Sequence, residues 1–175
     1  MRLLGQSGRL RESAEKSSTP VTPNADLTTV VGTRYYAFFT FPTTERFYLV
    51  SGIEWICGTL GGTGLVQAGI DAIDAIPPVI TATPLQAVAQ RVAYAGANIT
   101  QRVSVLSRDI FRSGNICGIW LSSDSVSSFR ELTAQANQNQ RKATAFSAAP
   151  PTQDVTAWTA SMTRIRLRLY FRGYS

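Results

Sequence analysis

Beyond residue 30 the chain alternates apolar and polar positions, and a period of two marks strands with one buried face. Over residues 34–41, Tyr35, Ala37, Phe39 and Phe41 fall on one side, with Arg34 and Thr40 on the other. Residues 47–58 continue the pattern, with Phe47, Leu49, Ile53, Trp55 and Cys57 on one face and Glu54 opposite. Val66, Ala68 and Ile70 give the inward side of a strand over 65–71. After Gly96, Ile99, Val103 and Val105 alternate with Asn98, Arg102 and Ser104, and Cys117, Ile119 and Leu121 share a face over 116–122. The clearest run closes the chain: Met162, Ile165, Leu167, Leu169 and Phe171 against Arg164, Arg166, Arg168 and Arg172.

Between these runs lie turn signals. Gly61-Gly62-Thr63-Gly64 reads as a hairpin turn, because glycine supplies the positive φ that tight turns need, and Ser113-Gly114-Asn115 reads as a second reversal. Pro77-Pro78 ends any strand. Thr83-Pro84-Leu85-Gln86 offers a helix cap, with Leu85, Val88, Ala89 and Val92 at helical spacing, so a helical turn and a short edge strand are both open at 83–93. Residues 123–160 are polar and loop-like, with short strands expected around Phe129 and Phe146. About seven or eight strands with no long helix predict an all-β fold, an antiparallel β-sandwich of jelly-roll-like kind. Residues 1–30 carry no apolar period, which predicts an extended N-terminal arm in front of a sandwich domain spanning 31–175.

Composition narrows the setting. Among 175 residues, 44% are hydrophobic but only 16% charged, against roughly 25% in an ordinary soluble domain. A sparsely charged surface favours protein contacts. Only Lys16 and Lys142 of the cations are lysines, and arginine is the better partner in buried contacts because its planar fork is weakly hydrated and donates in pairs. No stretch reaches the roughly 20 apolar residues of a membrane helix, and the first residues lack the apolar core of a signal peptide, so the expectation is a soluble chain made and used without export and with no membrane partner.

Catalytic chemistry finds little purchase. There is no histidine, which removes the commonest general base and metal ligand and every serine–histidine–acid arrangement. No catalytic, cofactor or metal residue is therefore expected. The glycines of 58–64 fail as a phosphate loop, because a strand rather than a helix N-terminus follows. Cys57 and Cys117 are expected as reduced, buried thiols, with a strand-to-strand disulfide as the alternative. The ladder Arg164, Arg166, Arg168, with Arg172 beyond it, places guanidiniums about 7 Å apart along one strand. They are read either as a solvated face or as an interface strip paired with a neighbouring subunit. The arm carries Arg2, Arg9, Arg11 and Lys16 but also Glu12 and Glu15. That mixture makes it too weakly basic to package a genome, since each phosphate needs its own cation, and an assembly tether fits better. Trp158, in the long loop, is the candidate glycan contact, whereas Trp55 and Trp120 lie inside strand patterns and are expected in the core.

Three passages carry a resemblance. They are residues 34–71, an aromatic strand, a polar turn, an apolar strand and a glycine turn into a strand ending Gly69-Ile70-Asp71; residues 83–103; and residues 110–123, where Phe111-Arg112-Ser113-Gly114-Asn115 enters a further strand. Together with the closing strand they resemble the jelly-roll β-sandwich virion proteins of tailed phages. The resemblance implies an auxiliary or decoration protein of the capsid, or a tail part, with the major capsid protein or other virion subunits as partners and homo-oligomers on the particle. A carbohydrate- or receptor-binding sandwich of a tail fibre and the coat protein of a small virus are the alternatives.

Overall fold

The alternation along the chain resolves into two antiparallel sheets. The computed structural model describes residues 15–17, 25–31, 33–73, 82–84, 90–104, 110–132, 140–143, 159–160 and 164–175. Along them run β1 (Lys16–Ser17), β2 (Ala25–Thr28), β3 (Thr33–Thr40), β4 (Phe47–Gly62), β5 (Leu65–Ile73), β6 (Ala82–Pro84), β7 (Gln90–Ala93) and β8 (Thr100–Ser104). There follow β9 (Phe111–Arg112), β10 (Ile116–Ser123), β11 (Ser127–Leu132), β12 (Gln140–Ala143), β13 (Thr159–Ala160), β14 (Arg164–Ile165) and β15 (Leu167–Tyr174). No helix occurs among the described residues.

The larger sheet has the order β1-β15-β4-β11-β14, with β2 beside β11 and with β8 and β9 beside β4. The smaller runs β13-β12-β3-β10-β5-β6, with β7 beside β5. Their facing sides share one core. Ile53, Trp55, Phe129 and Leu169 come from the larger sheet and Tyr35, Ile70, Ile119 and Leu121 from the smaller, which makes the architecture a β-sandwich. At one end the core is aromatic: Phe39, Phe41, Tyr48, Phe111 and Phe171 stack and cross at centroid distances of 4.7 to 5.7 Å. Such pairs add about 0.5–1.5 kcal/mol each beyond the area they bury.

The expected inward positions hold in β5, β10 and β15, where Val66, Ala68, Ile70, Cys117, Ile119, Leu121, Leu167, Leu169 and Phe171 are all buried. They fail in the first half of β4. There Tyr48 and Val50 point to the core, and Phe47 and Leu49 are only half-buried. The cause is a bulge. Phe171 pairs with Val50 and Tyr170 with Gly52, so Ser51 is an extra residue that shifts the phase before Ile53, Trp55 and Cys57 turn inward. Arg34 is a second departure. Expected on an open face, it is 4% exposed, with its guanidinium 4.5 Å over the Trp120 ring. Trp120 in turn lies opposite Gly69, where a Cβ would collide with the indole. Ile99, expected inward, is half-exposed ahead of β8.

The glycine turn after β4 is not a hairpin. β4 belongs to the larger sheet and β5 to the smaller, so Thr63 and Gly64 carry the chain between sheets. The positive φ of Gly61 and Gly64 reverses the chain as expected, but register alone decides which sheet receives it. The links β2 to β3 and β10 to β11 make the same crossing at the same end. Thr29 donates its N–H and its hydroxyl to Ser127 O at 2.8 and 3.0 Å, and the Leu65 and Asp124 N–H groups bond Asp124 Oδ1 and Leu65 O at 2.7 and 3.1 Å. The links β3 to β4 and β9 to β10 cross at the opposite end, where Phe41 N–H meets Asn115 O at 2.9 Å.

The polar segment 1–30 contributes two strands to the larger sheet, β1 on β15 and β2 on β11. Asp26 fastens β2: its carboxylate accepts from Thr59 N–H at 2.6 Å and from Arg130 Nη1 at 2.9 Å. Burial pushes that carboxyl up, but the hydrogen bonds from Thr59 and Arg130 outweigh it and hold it below the usual aspartate range. Within 83–93 the described residues are strand, in β6 and β7, and 85–89 lie outside the described residues, as do Val105, Phe146 and Met162. The strand expected around Phe129 is β11, with Phe129 fully buried.

Candidate interaction surface

β15 presents its arginines on the outer face of the larger sheet, because Leu167, Leu169 and Phe171 occupy the inner one. Register then sets a row across three strands. Arg168 lies opposite Glu54, and Glu54 opposite Arg102 on β8. Arg168 Nη1 is 3.3 Å from Glu54 Oε1, and the Tyr170 hydroxyl donates to Glu54 Oε2 at 2.7 Å. The bond to Tyr170 comes first in raising the Arg168 pKa above its ordinary value. Arg102 leans the other way, with its guanidinium 3.7 Å over the Tyr170 ring. It crosses Gly52 to get there: a Cβ at that position would come within 2.9 Å of Arg102 Nε and 3.0 Å of Val103 O.

The arm ends on this row. Glu15 receives Arg102 Nη2 at 3.1 and 3.2 Å and the Ser51 hydroxyl at 2.5 Å. The bulge therefore turns the extra residue of β4 outward to meet the arm. Lys16 reaches Glu45 at 3.4 Å while its backbone pairs with Phe171. The Ser51 hydrogen bond, against some desolvation and with help from Arg102, holds the Glu15 carboxyl below the usual glutamate range. β1 is thus a strand added to the sheet edge, with main-chain pairing for affinity and an ionic clasp for register.

Of the residues singled out from sequence, Arg168 is paired inside the chain and not left for a neighbour. Arg166 is half-buried, its N–H given to Arg130 O at 2.9 Å, and burial followed by the charge of Arg168 lowers its pKa. Arg172 is exposed, close enough for its charge to act on Glu15. The backbone of Arg164 pairs with Leu132. Arg2, Arg9, Arg11 and Trp158 lie outside the described residues. Trp55 and Trp120 are buried in strands, as expected. Cys57 and Cys117 are free, fully buried thiols on different sheets, and burial pushes both up from their ordinary pKa. No cluster of three or more metal-ligating side chains forms among the described residues. Sequence reasoning missed Ser51, Gly52 and the role of Arg102; the available signal was a glycine inside a strand pattern, which marks a bulge or a close approach.

The opposite end differs in character. Val30, Val31, Leu60, Leu65 and Val126 are exposed on the three crossing links there or on the strand ends beside them. Leu60 and Val126 flank an open groove of about 440 Å³ whose floor includes Gly61, Gly62, Ser127 and Ser128. No protein-family model matches the chain, and no curated protein matches it.

Proposed function

We propose that this chain is a structural subunit of a virus particle, an auxiliary or decoration protein of the tailed-phage kind that docks on the capsid through its N-terminal arm and stabilises the shell. The observation that carries this reading is β1, a two-residue strand of the arm clasped to the sheet edge by Glu15 and Lys16. From that fixed point the residues before Glu15, fully extended, reach roughly 50 Å, enough to cross a neighbouring subunit. Their mixture of Arg2, Arg9 and Arg11 with Glu12 suits a protein surface better than a run of phosphates. The mechanism is area and complementarity: an arm and a rigid sandwich together cover more surface than either alone, and each added contact slows dissociation.

The test is mass spectrometry and imaging of native particles from the host that makes this chain. The expected result is a stoichiometric shell component whose incorporation falls when Glu15 and Lys16 are both replaced by alanine. Particles that never contain the chain sink the reading. Closed shells formed by the chain on its own would instead make it a small-virus coat protein.

A further inference from the structure

Five of the seven large hydrophobic side chains exposed among the described residues, Val30, Val31, Leu60, Leu65 and Val126, sit on or beside three neighbouring links at one end of the sandwich. Segments 27–31, 59–70 and 122–129 contain a single charged residue, Asp124, and its Oδ1 is taken by the Leu65 N–H. Apart from the buried Gln67, everything else in those segments is apolar, hydroxyl or glycine. A concentration of exposed apolar groups marks a contact surface, and depletion of charge is what distinguishes the centre of such a contact.

We infer that this end seats a second copy of this chain, like end to like end. Charge selects that occupant. The chain carries a net +6, so two copies repel wherever their cationic faces meet, and this end, where Asp124 is the single charge of the three segments, is where they can approach. An acidic partner finds no cation in those segments, and a basic one finds only Asp124, already bonded to Leu65 N–H. A membrane surface is disfavoured too, since the three segments hold no Lys or Arg for anionic headgroups, and the nearby Arg130 and Arg34 are respectively paired with Asp26 and buried. Shape agrees: Leu60, 76% exposed, and Val126, 63% exposed, project beside the groove they border. Knob and hole on one patch are self-complementary, which is what a two-fold contact requires. The groove is open at Gly61, as no heavy atom lies within 4 Å of where its Cβ would be. Such a dimer turns both arm-bearing ends outward. The inference deepens the assembly reading and rests on it for its setting, though not for its chemistry.

Sedimentation equilibrium of the purified full chain tests it. Wild type and Ile110→Asp, a charge placed on an exposed hydrophobic elsewhere, should dimerise alike, while Leu60→Asp/Val126→Asp should be monomeric with an unchanged thermal melt. The milder Leu60→Ser should raise the dimer Kd about tenfold to a hundredfold, the loss of one buried apolar side chain. A wild type that stays monomeric, a dimer that survives both substitutions, or one broken by Ile110→Asp overturns the inference. So does flotation of wild type, but not the double variant, with phosphatidylcholine–phosphatidylserine vesicles, which would make the patch a lipid contact. A dimer that forms in solution but is absent from particles sinks only the virion reading; a monomer found in particles sinks only this one.

Discussion

The two ends of the sandwich are built from the same kind of link, a sheet-to-sheet crossing, yet they present opposite surfaces. At the arm end Glu15, Lys16, Glu45, Arg46, Arg112 and Arg172 gather over an aromatic core that includes Phe41 and Tyr48. At the other end hydroxyls, glycines and exposed Val and Leu cover the crossing, and hydrogen bonds between links do the fastening. One end is held by what lies beneath it and the other by what lies between its loops. A fold that stabilises its ends by different means can leave one free for a charged clasp and the other with Asp124 as its single charge among the three crossing segments.

The largest expected effect probes the aromatic end. Phe41→Ala removes the ring that touches Phe39, Tyr48, Phe111 and Phe171 and should cost about 3–5 kcal/mol, read from the urea midpoint at constant m-value. A loss under about 1 kcal/mol would show that the end does not depend on its core. Glycine substitutions compare the ends directly. Gly64 has φ +82° and its Cβ would meet Asp124 and Ser125, whereas Gly114 has φ +77° with open space around it. Gly64→Ala should therefore cost roughly 2–3 kcal/mol and Gly114→Ala about 1; equal costs would mean that the loop contacts at the end away from the arm contribute nothing.

The clasp comes next. Arg102→Ala removes a 39%-exposed side chain from Glu15 and Tyr170, so global stability should fall by only about 0.2–1 kcal/mol, while hydrogen exchange at Lys16 and Ser17 rises sharply. The same release should follow acidification. The Glu15 carboxyl is lowered in the folded chain, so its contribution is complete above the ordinary glutamate value of 4.5 and is lost as pH falls through the lower folded value. Arm exchange that is flat across that window, or that loosens towards alkaline pH, would remove Glu15 from the clasp. The smallest effect is expected for Lys16→Ala, a few tenths of a kcal/mol in melts, because the pair with Glu45 is long and 42% exposed on the lysine side.

Legibility in the sequence follows the same physics. β5 could be read because it places apolar side chains on alternate positions towards one core with glycine or polar residues between them, and β10 because Cys117, Ile119 and Leu121 share one face bounded by the Ser113–Asn115 turn and Ser122. In β4 the run Phe47-Tyr48-Leu49-Val50 is apolar at every position, so either phase satisfies the pattern and only pairing with β15 chooses. The turn at Gly61–Gly64 was readable as a reversal but not as a crossing, since glycine fixes backbone angles and not partners. The arginines of β15 were readable as an outward row. That Arg168 meets Glu54, and Arg102 meets Glu15, depends on strands far apart in the chain, and no local rule carries that information. β2 was hidden because its side chains give it almost no apolar signal, and its place is set by pairing with β11 and by the Asp26 carboxylate.

One strand joins the two ends. β4 is 16 residues long, roughly 50 Å at about 3.3 Å per residue, and begins beside the arm clasp and finishes at Leu60–Gly62. Tension applied through the arm at one end and through a neighbour at the other would be drawn along this strand. Its pairing with β15, β8 and β11 lies side-on to that pull, so the ladders would have to slide as a set instead of opening one bond at a time. β1, two residues long, would give way first, and the sandwich behind it would keep its shape after the arm had let go.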